Sequence, residues 1–178
     1  FNLHLASGKS IEYKTIWNPR YPGSGKGTLV NGLTGSTNYR DGQWLGFQED
    51  DIEVIIDLES EQPIGSIRSH FNHKPNSWVY LPKYVSYSVS SDGKNFTEIA
   101  RTGDIEEKKS GVNEYKSTFE SVKARYIKVF AKNIEHRPYN KDQKAWMFID
   151  EIIIVVKYWL SGYYNFFLKF SVRVFHDI

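Results

Sequence analysis

Apolar positions along the chain recur mostly with the two-residue period of β-strands. Residues 52–58 (IEVIIDL) form a compact apolar run. Residues 84–90 (YVSYSVS) alternate, which places Val85, Tyr87 and Val89 on one face. Asp92-Gly93 follows as a hairpin turn, with a second strand expected at 96–99. Residues 125–131 (RYIKVFA) alternate again, and 147–156 (MFIDEIIIVV) are β-branched and read as buried. No stretch combines apolar residues at i, i+3, i+4 and i+7 with helix caps. Many short strands with turn signals between them imply an all-β, antiparallel β-sandwich or barrel. Three long irregular stretches interrupt this pattern, at 16–41, 70–82 and 133–146. Loops of that length inside a compact domain are usually functional. The last segment, 157–178 (KYWLSGYYNFFLKFSVRVFHDI), has a different texture. The reading is a sandwich over 1–156 and a C-terminal tail over 157–178, the latter an extra strand, a stub of another domain or foreign sequence. The chain starts at Phe1 and shows no signal peptide, so we expect a piece of a longer protein.

Composition narrows the function classes. The chain has 178 residues, enough for one domain with a real core. Twelve Tyr and five Trp exceed what such a core needs, so some should line a surface that takes something flat. A net charge of +2 offers no strong field for nucleic acid or an anionic membrane. With no Cys there is no disulfide, thiol chemistry or Cys-zinc site.

Residues 21–28 (YPGSGKGT) read like a phosphate-binding loop, but their context is wrong for one. Arg20 stands where the first Gly of that motif belongs. Two prolines precede the loop in place of a buried strand, and the glycine-rich segment after it does not suit a helix. No nucleotide is expected. Asp50-Asp51 and Glu106-Glu107 lie in polar turns and read as solvated surface. His70 and His73 lack helical metal spacing, and no G-x-S-x-G elbow occurs.

Two groupings carry more chemistry. Thr28, Asn31, Leu33, Ser36, Asp150 and Glu151 offer the oxygens that a hard cation such as Ca²⁺ accepts. The three irregular stretches bring Trp17, Arg20 and Tyr21; His70, Asn72, His73 and Trp78; and His136, Arg137, Tyr139 and Trp146. Rings that stack on the C–H face of a sugar, beside charged and amide groups for its hydroxyls, suit a carbohydrate site.

LASGK, LVNGLTGSTNY with DGQWLGF, VIIDL, IGSI, WVYLP, YVSYSVSSDGKNFTEI, ARYIKVFAKN and FIDEIII, in that order, resemble the discoidin or coagulation factor 5/8 type C domain. The likeness is to its bacterial form, the family 32 carbohydrate-binding module, and covers about residues 3–156. In wording it is similar to modules appended to glycoside hydrolases of gut Bacteroidetes, including β-N-acetylhexosaminidases. The resemblance implies an eight-stranded, jelly-roll-like (galactose-binding-domain-like) sandwich whose first and last strands meet. It also implies a structural calcium, which maps here onto Thr28, Asn31, Leu33, Ser36, Asp150 and Glu151. Asn31 stands where the family has Asp, so binding should be weaker, or the site should take Na⁺ or stay empty. Lys26 should point to solvent.

By the same resemblance, loops at one end bind glycans of the terminal galactose, GalNAc or GlcNAc type. The residues expected there are Trp17, Tyr21, His70, Asn72, Arg137, Tyr139 and Trp146, with His73 and His136 in reserve. The implied protein is non-catalytic and part of a bacterial secreted glycoside hydrolase. Its partners would be a glycan and the parent's catalytic domain, located outside the cell, in the periplasm or on the outer-membrane surface. The competing reading is a structural or interdomain module without sugar binding; a membrane-binding discoidin domain ranks behind it.

Overall fold

A computed structural model describes residues 3–103 and 110–156. The expected 157–178 tail lies outside them. Among the described residues nine strands occur in order: β1 (Ser10–Tyr13), β2 (Leu45–Gln48), β3 (Ile52–His73), β4 (Tyr84–Ser90), β5 (Thr97–Gly103), β6 (Gly111–Lys132), β7 (His136–Arg137), β8 (Asn140–Lys144) and β9 (Trp146–Val155). Two short 3₁₀ turns, Gly25–Val30 and Pro75–Ser77, are the helical elements among the described residues. A six-residue 3₁₀ turn after YPGSG offers no α-helix N-terminus to a phosphate. Lys26 is exposed, as expected.

β3 and β6 each run 22 residues and pair antiparallel along most of their length. The ladder breaks between Asp57 and Gln62 and again between Ile64 and Ser66. Exposed Glu59, Ser60 and Glu61 and the following Pro63 occupy this break, and Glu59 takes a left-handed φ of 69°. Proline cannot continue a central ladder, and the shift of register bends both strands. One hydrogen-bonded ladder thereby folds into two layers. The first runs β5-β4-β6-β3-β1 and uses the C-terminal half of β6 and the N-terminal half of β3. The second runs β6-β3-β9-β2 and uses the other halves.

Ile52, Val54 and Ile56 of the first layer face Ile67 and Phe71 of the second in one continuous core. Tyr87 crosses it, its hydroxyl donating to Tyr115 O at 2.8 Å and sharing a second hydrogen bond with the Ser69 hydroxyl at 3.2 Å. A buried phenol needs such partners, and the resulting bonds fix the spacing of the layers. The expected meeting of the first and last strands is made by the segment before β1, where Leu5 N donates to Ile154 O of β9 at 3.0 Å, whereas β1 itself pairs with β3.

The strand expected at 96–99 extends over Thr97–Gly103. The irregular stretch expected from residue 70 starts later, because His70–His73 finish β3. The third stretch contains the small β7–β8 hairpin.

Candidate functional site

The long loop after β1 is pinned to β2 by its backbone. Asn18 N donates to Gly46 O at 2.8 Å, and Gly46 N donates to Tyr21 O at 3.1 Å. Asn18-Pro19-Arg20-Tyr21 closes a tight turn (Tyr21 N to Asn18 O, 2.9 Å), which fixes Arg20 beside Tyr21. Gly46 permits this docking: a Cβ there would stand 2.9 Å from the Tyr21 Cβ and from a ring carbon of Phe148. Further on, Asp41 organises a second turn. Its carboxylate accepts from Ser36 N at 2.6 Å and from Gln43 N at 2.9 Å. Burial works against ionisation, but these hydrogen bonds hold the carboxyl below its usual value. Asn38 Oδ1 accepts from Arg40 N at 3.1 Å, and the turn presents Tyr39 and Arg40 side by side.

The 3₁₀ turn Pro75–Ser77 ends in Trp78 at φ 64°, a left-handed conformation that a bulky side chain rarely adopts. Its neighbours enforce it. Trp78 N donates to Pro75 O at 2.9 Å, Trp146 N to Trp78 O at 2.9 Å and Tyr80 N to Trp146 O at 2.8 Å. Trp78 is consequently half exposed, and Arg137 from β7 lies over its ring at 3.8 Å.

These three loops meet at the end of the second layer where β3 finishes and β9 begins. Tyr21 stands edge-on to Trp146 (5.0 Å, 84°) and to Phe148 (4.8 Å, 74°). Tyr39 leans on Phe148 at 5.0 Å. Two adjoining recesses open over this aromatic floor, of about 420 Å³ and about 230 Å³, and they share Arg20, Tyr21, Tyr39 and Arg40 as a common wall. The larger continues over Trp44 and Gly42, the smaller over Asn76, Trp78 and Trp146.

The seven residues expected for sugar binding are distributed unevenly around this place. Tyr21 and Trp146 line the recess. Arg137 adjoins it through its stacking on Trp78. Tyr139, 99% exposed, sits in the β7–β8 hairpin. Asn72 is buried beneath the loop and donates to Ser36 O and Thr37 O, both at 3.4 Å. His70 lies on the outer face of β3 between Glu114 (3.3 Å) and Asp150 (3.5 Å). Burial would depress its pKa, but these two carboxylates outweigh it and raise the value. Trp17 is elsewhere, edge-on to Tyr13 at 4.8 Å and lining a separate hollow with Ile16 and Lys26. Arg20 and Trp78, part of the aromatic–polar grouping but not among the seven, line the recess, and Tyr39 and Arg40 were missed altogether. The available signal was the pair of Arg–Tyr doublets, Arg20-Tyr21 and Tyr39-Arg40, within one irregular stretch.

The profile of the F5/8 type C domain matches residues 11–152. The chain belongs to the F5/8 type C domain family. Solved structures share its fold. CpGH89CBM32-6, produced by Clostridium perfringens, is 19% identical, with a TM-score of 0.55 over 87% of this chain and 100% of its own. CpGH89CBM32-5 of the same organism, in complex with GalNAc-β-1,3-galactose, is 16% identical at 0.57, over 86% and 100%. A Streptococcus pneumoniae fucose binding module is 16% identical at 0.59, over 88% and 96%. No curated protein matches the chain.

The cation expected in an F5/8 type C domain can be tested against the donors present. A β-bulge places Asp150 and Glu151 together opposite His70, since Ser69 pairs with Ile152 and Phe71 with Ile149. Both acids are buried, and burial pushes both carboxyls up. Glu151 already accepts from Gly32 N at 3.1 Å and meets His4 Nε2 at 2.9 Å. Asp150 accepts from Gly35 N at 2.7 Å. Asn31 Oδ1 accepts from Leu33 N, and the Thr28 hydroxyl donates to Gly25 O while accepting from Ser24 N. Ser36 Oγ accepts from Asn38 N. Among the described residues no three His, Cys, Asp or Glu side chains form a metal group. Ca²⁺ favours ionised carboxylates and free oxygen lone pairs. Here an imidazole stands against Glu151, and Gly32 N and Gly35 N each occupy one oxygen of the two acids, while the buried Asp150 Oδ1 has no hydrogen-bond partner and leaves one carboxylate oxygen of the set for an ion. The same hydrogen bonds clamp residues 31–36 onto β9 without it.

Proposed function

We propose that the chain is a non-catalytic carbohydrate-binding module. The observation that carries this reading is the recess itself: Tyr21, Tyr39, Trp78 and Trp146 beside Arg20 and Arg40, on backbone pinned by hydrogen bonds. Rings take the apolar face of a sugar, and guanidinium groups take its oxygens. The residues lining the two recesses include no Asp, Glu or His, so the carboxylate and imidazole groups most used in acid–base chemistry are not among them. Family membership supports the reading, as do structural neighbours that include a fucose binding module and a module in complex with GalNAc-β-1,3-galactose.

In its finer form, the module anchors a larger bacterial glycoside hydrolase, of the β-N-acetylhexosaminidase kind, outside the cell. It holds a glycan ending in galactose, GalNAc or GlcNAc. A shallow, wet site recovers little beyond the cost of association, so affinity for one sugar should be about 0.1–1 mM. A glycan array probed with the full chain tests this. The expected result is capture by defined terminal sugars, unchanged by chelator and lost in Trp146→Ala. A blank array with folded protein would overturn it and favour an interdomain scaffold.

A further inference from the structure

The wall of the recess carries more positive charge than a neutral sugar requires. The Arg20 guanidinium lies 5.5 Å from the Tyr21 ring centre, and that of Arg40 lies 5.4 Å from the Tyr39 ring. The Lys74 ammonium lies 5.8 Å from the same Tyr39 ring, so one ring draws two cations. Among the described residues, none of the three has an acidic partner within ion-pair distance, whereas Arg101, Arg125, Lys132 and Lys144 each pair with a carboxylate. Asp41, next to Arg40 in the chain, keeps its charge but aims its oxygens at Ser36 N and Gln43 N, and Glu49 pairs with Lys144. Aromatic faces moderate the mutual repulsion of Arg20, Arg40 and Lys74 but do not neutralise it. A site with focused, unpaired positive charge is poised for an anion, and arginine forks recognise planar or tetrahedral oxyanions bidentately.

We propose that the recess selects glycans carrying an anionic group, a sulfate ester or a uronic carboxylate, with Arg20 and Arg40 as specificity-determining residues. The inference rests on the sugar-binding reading above and narrows its ligand class. The sugar ring stacks on Tyr21, Tyr39 or Trp146, and the anion sits against the two guanidinium groups, with Lys74 adding long-range attraction.

The test titrates the full chain with galactose, N-acetylglucosamine, N-acetylglucosamine 6-sulfate and galacturonic acid, by calorimetry or NMR. At low salt, at least one anionic sugar should bind about tenfold more tightly than its neutral counterpart, the yield of one charge-assisted hydrogen-bonded contact. The preference should shrink as salt rises, because partly exposed charges are screened. It should collapse in Arg20→Gln/Arg40→Gln; both side chains are exposed, so the thermal midpoint should hold. Which anionic sugar binds more tightly identifies sulfate or carboxylate as the source. Equal or tighter binding of the neutral sugars would overturn the charge selection while leaving sugar binding intact, and so would a preference that survives the double substitution. Failure of all four sugars to bind would overturn the sugar-binding reading itself, and this inference with it.

Discussion

Trp78 is held at φ 64° by hydrogen bonds on both sides, and its ring is half exposed beneath Arg137. A left-handed bulky residue costs about 1–3 kcal/mol, and glycine would relieve that while forfeiting about 0.5–1 kcal/mol through its freer unfolded chain together with the contacts of the half-exposed ring. The two effects nearly cancel. Trp78→Gly should therefore leave unfolding free energy within about 1 kcal/mol of the parent and still weaken glycan binding severalfold. Denaturant unfolding beside a sugar titration measures both; a large loss of stability would mean that Trp78 serves packing instead. At this scale the sequence was partly legible. Tyr21 and Trp146 stood out as aromatics in irregular stretches, and both line the recess. Tyr39 and Arg40 did not, because only the turn built by Asp41 and Asn38 turns them toward Tyr21. Trp17 looked equivalent in sequence, yet its contacts are with Tyr13 and the hollow near Lys26.

Between elements, legibility followed the regularity of the pleat. Of the first-layer halves, 52–58 showed as an apolar run, and 84–90 and 125–131 alternate because one face is core. The second-layer halves of β3 and β6 were hidden. Their outward residues Arg68, His70, Asn72 and Glu114 are polar, and small Gly65 and Ser69 interrupt the apolar face. β1 and β2 have four residues each, too few for a period to show. The β4–β5 connection was legible through Asp92-Gly93, where Gly93 takes φ 72°. Asp92 accepts from the backbone N–H of Asn95 and of Lys94, both at 2.8 Å, and these bonds hold its carboxyl far below the usual range. A depressed folded pKa contributes stability above the unfolded value of about 3.9, and that contribution is lost as pH falls below it. Asp92→Asn should therefore lose less stability than the parent between pH 6 and pH 3, as read by thermal unfolding at each pH. Parallel declines would contradict the role given to this turn. The Asp150–Glu151 bulge makes a separate prediction. With protein donors on both oxygens of Glu151 and on one oxygen of Asp150 already clamping the loop, the thermal midpoint should be the same in millimolar calcium and in chelator. A calcium-dependent rise would show that the loop at 31–36 rearranges to admit the ion.

For the whole molecule, the bent β3–β6 pair builds both layers and carries the loops to one end. Segment order, more than any single segment, marked the family, and the profile match over 11–152 agrees with it. The net charge of +2 hid the clustering of Arg20, Arg40 and Lys74, because a sum over the whole chain does not say where its charges lie. The central claim is that a glycan binds over Tyr21, Tyr39, Trp78 and Trp146. The most direct test follows the tryptophan indole N–H signals by NMR while a glycan is added. The account predicts that the Trp78 and Trp146 signals shift in a saturable way. Trp44, whose N–H donates to Ser36 O at 3.1 Å, should move far less, and Trp17 should stay still. Shifts confined to Trp17, with Trp78 and Trp146 unmoved at saturation, would contradict it.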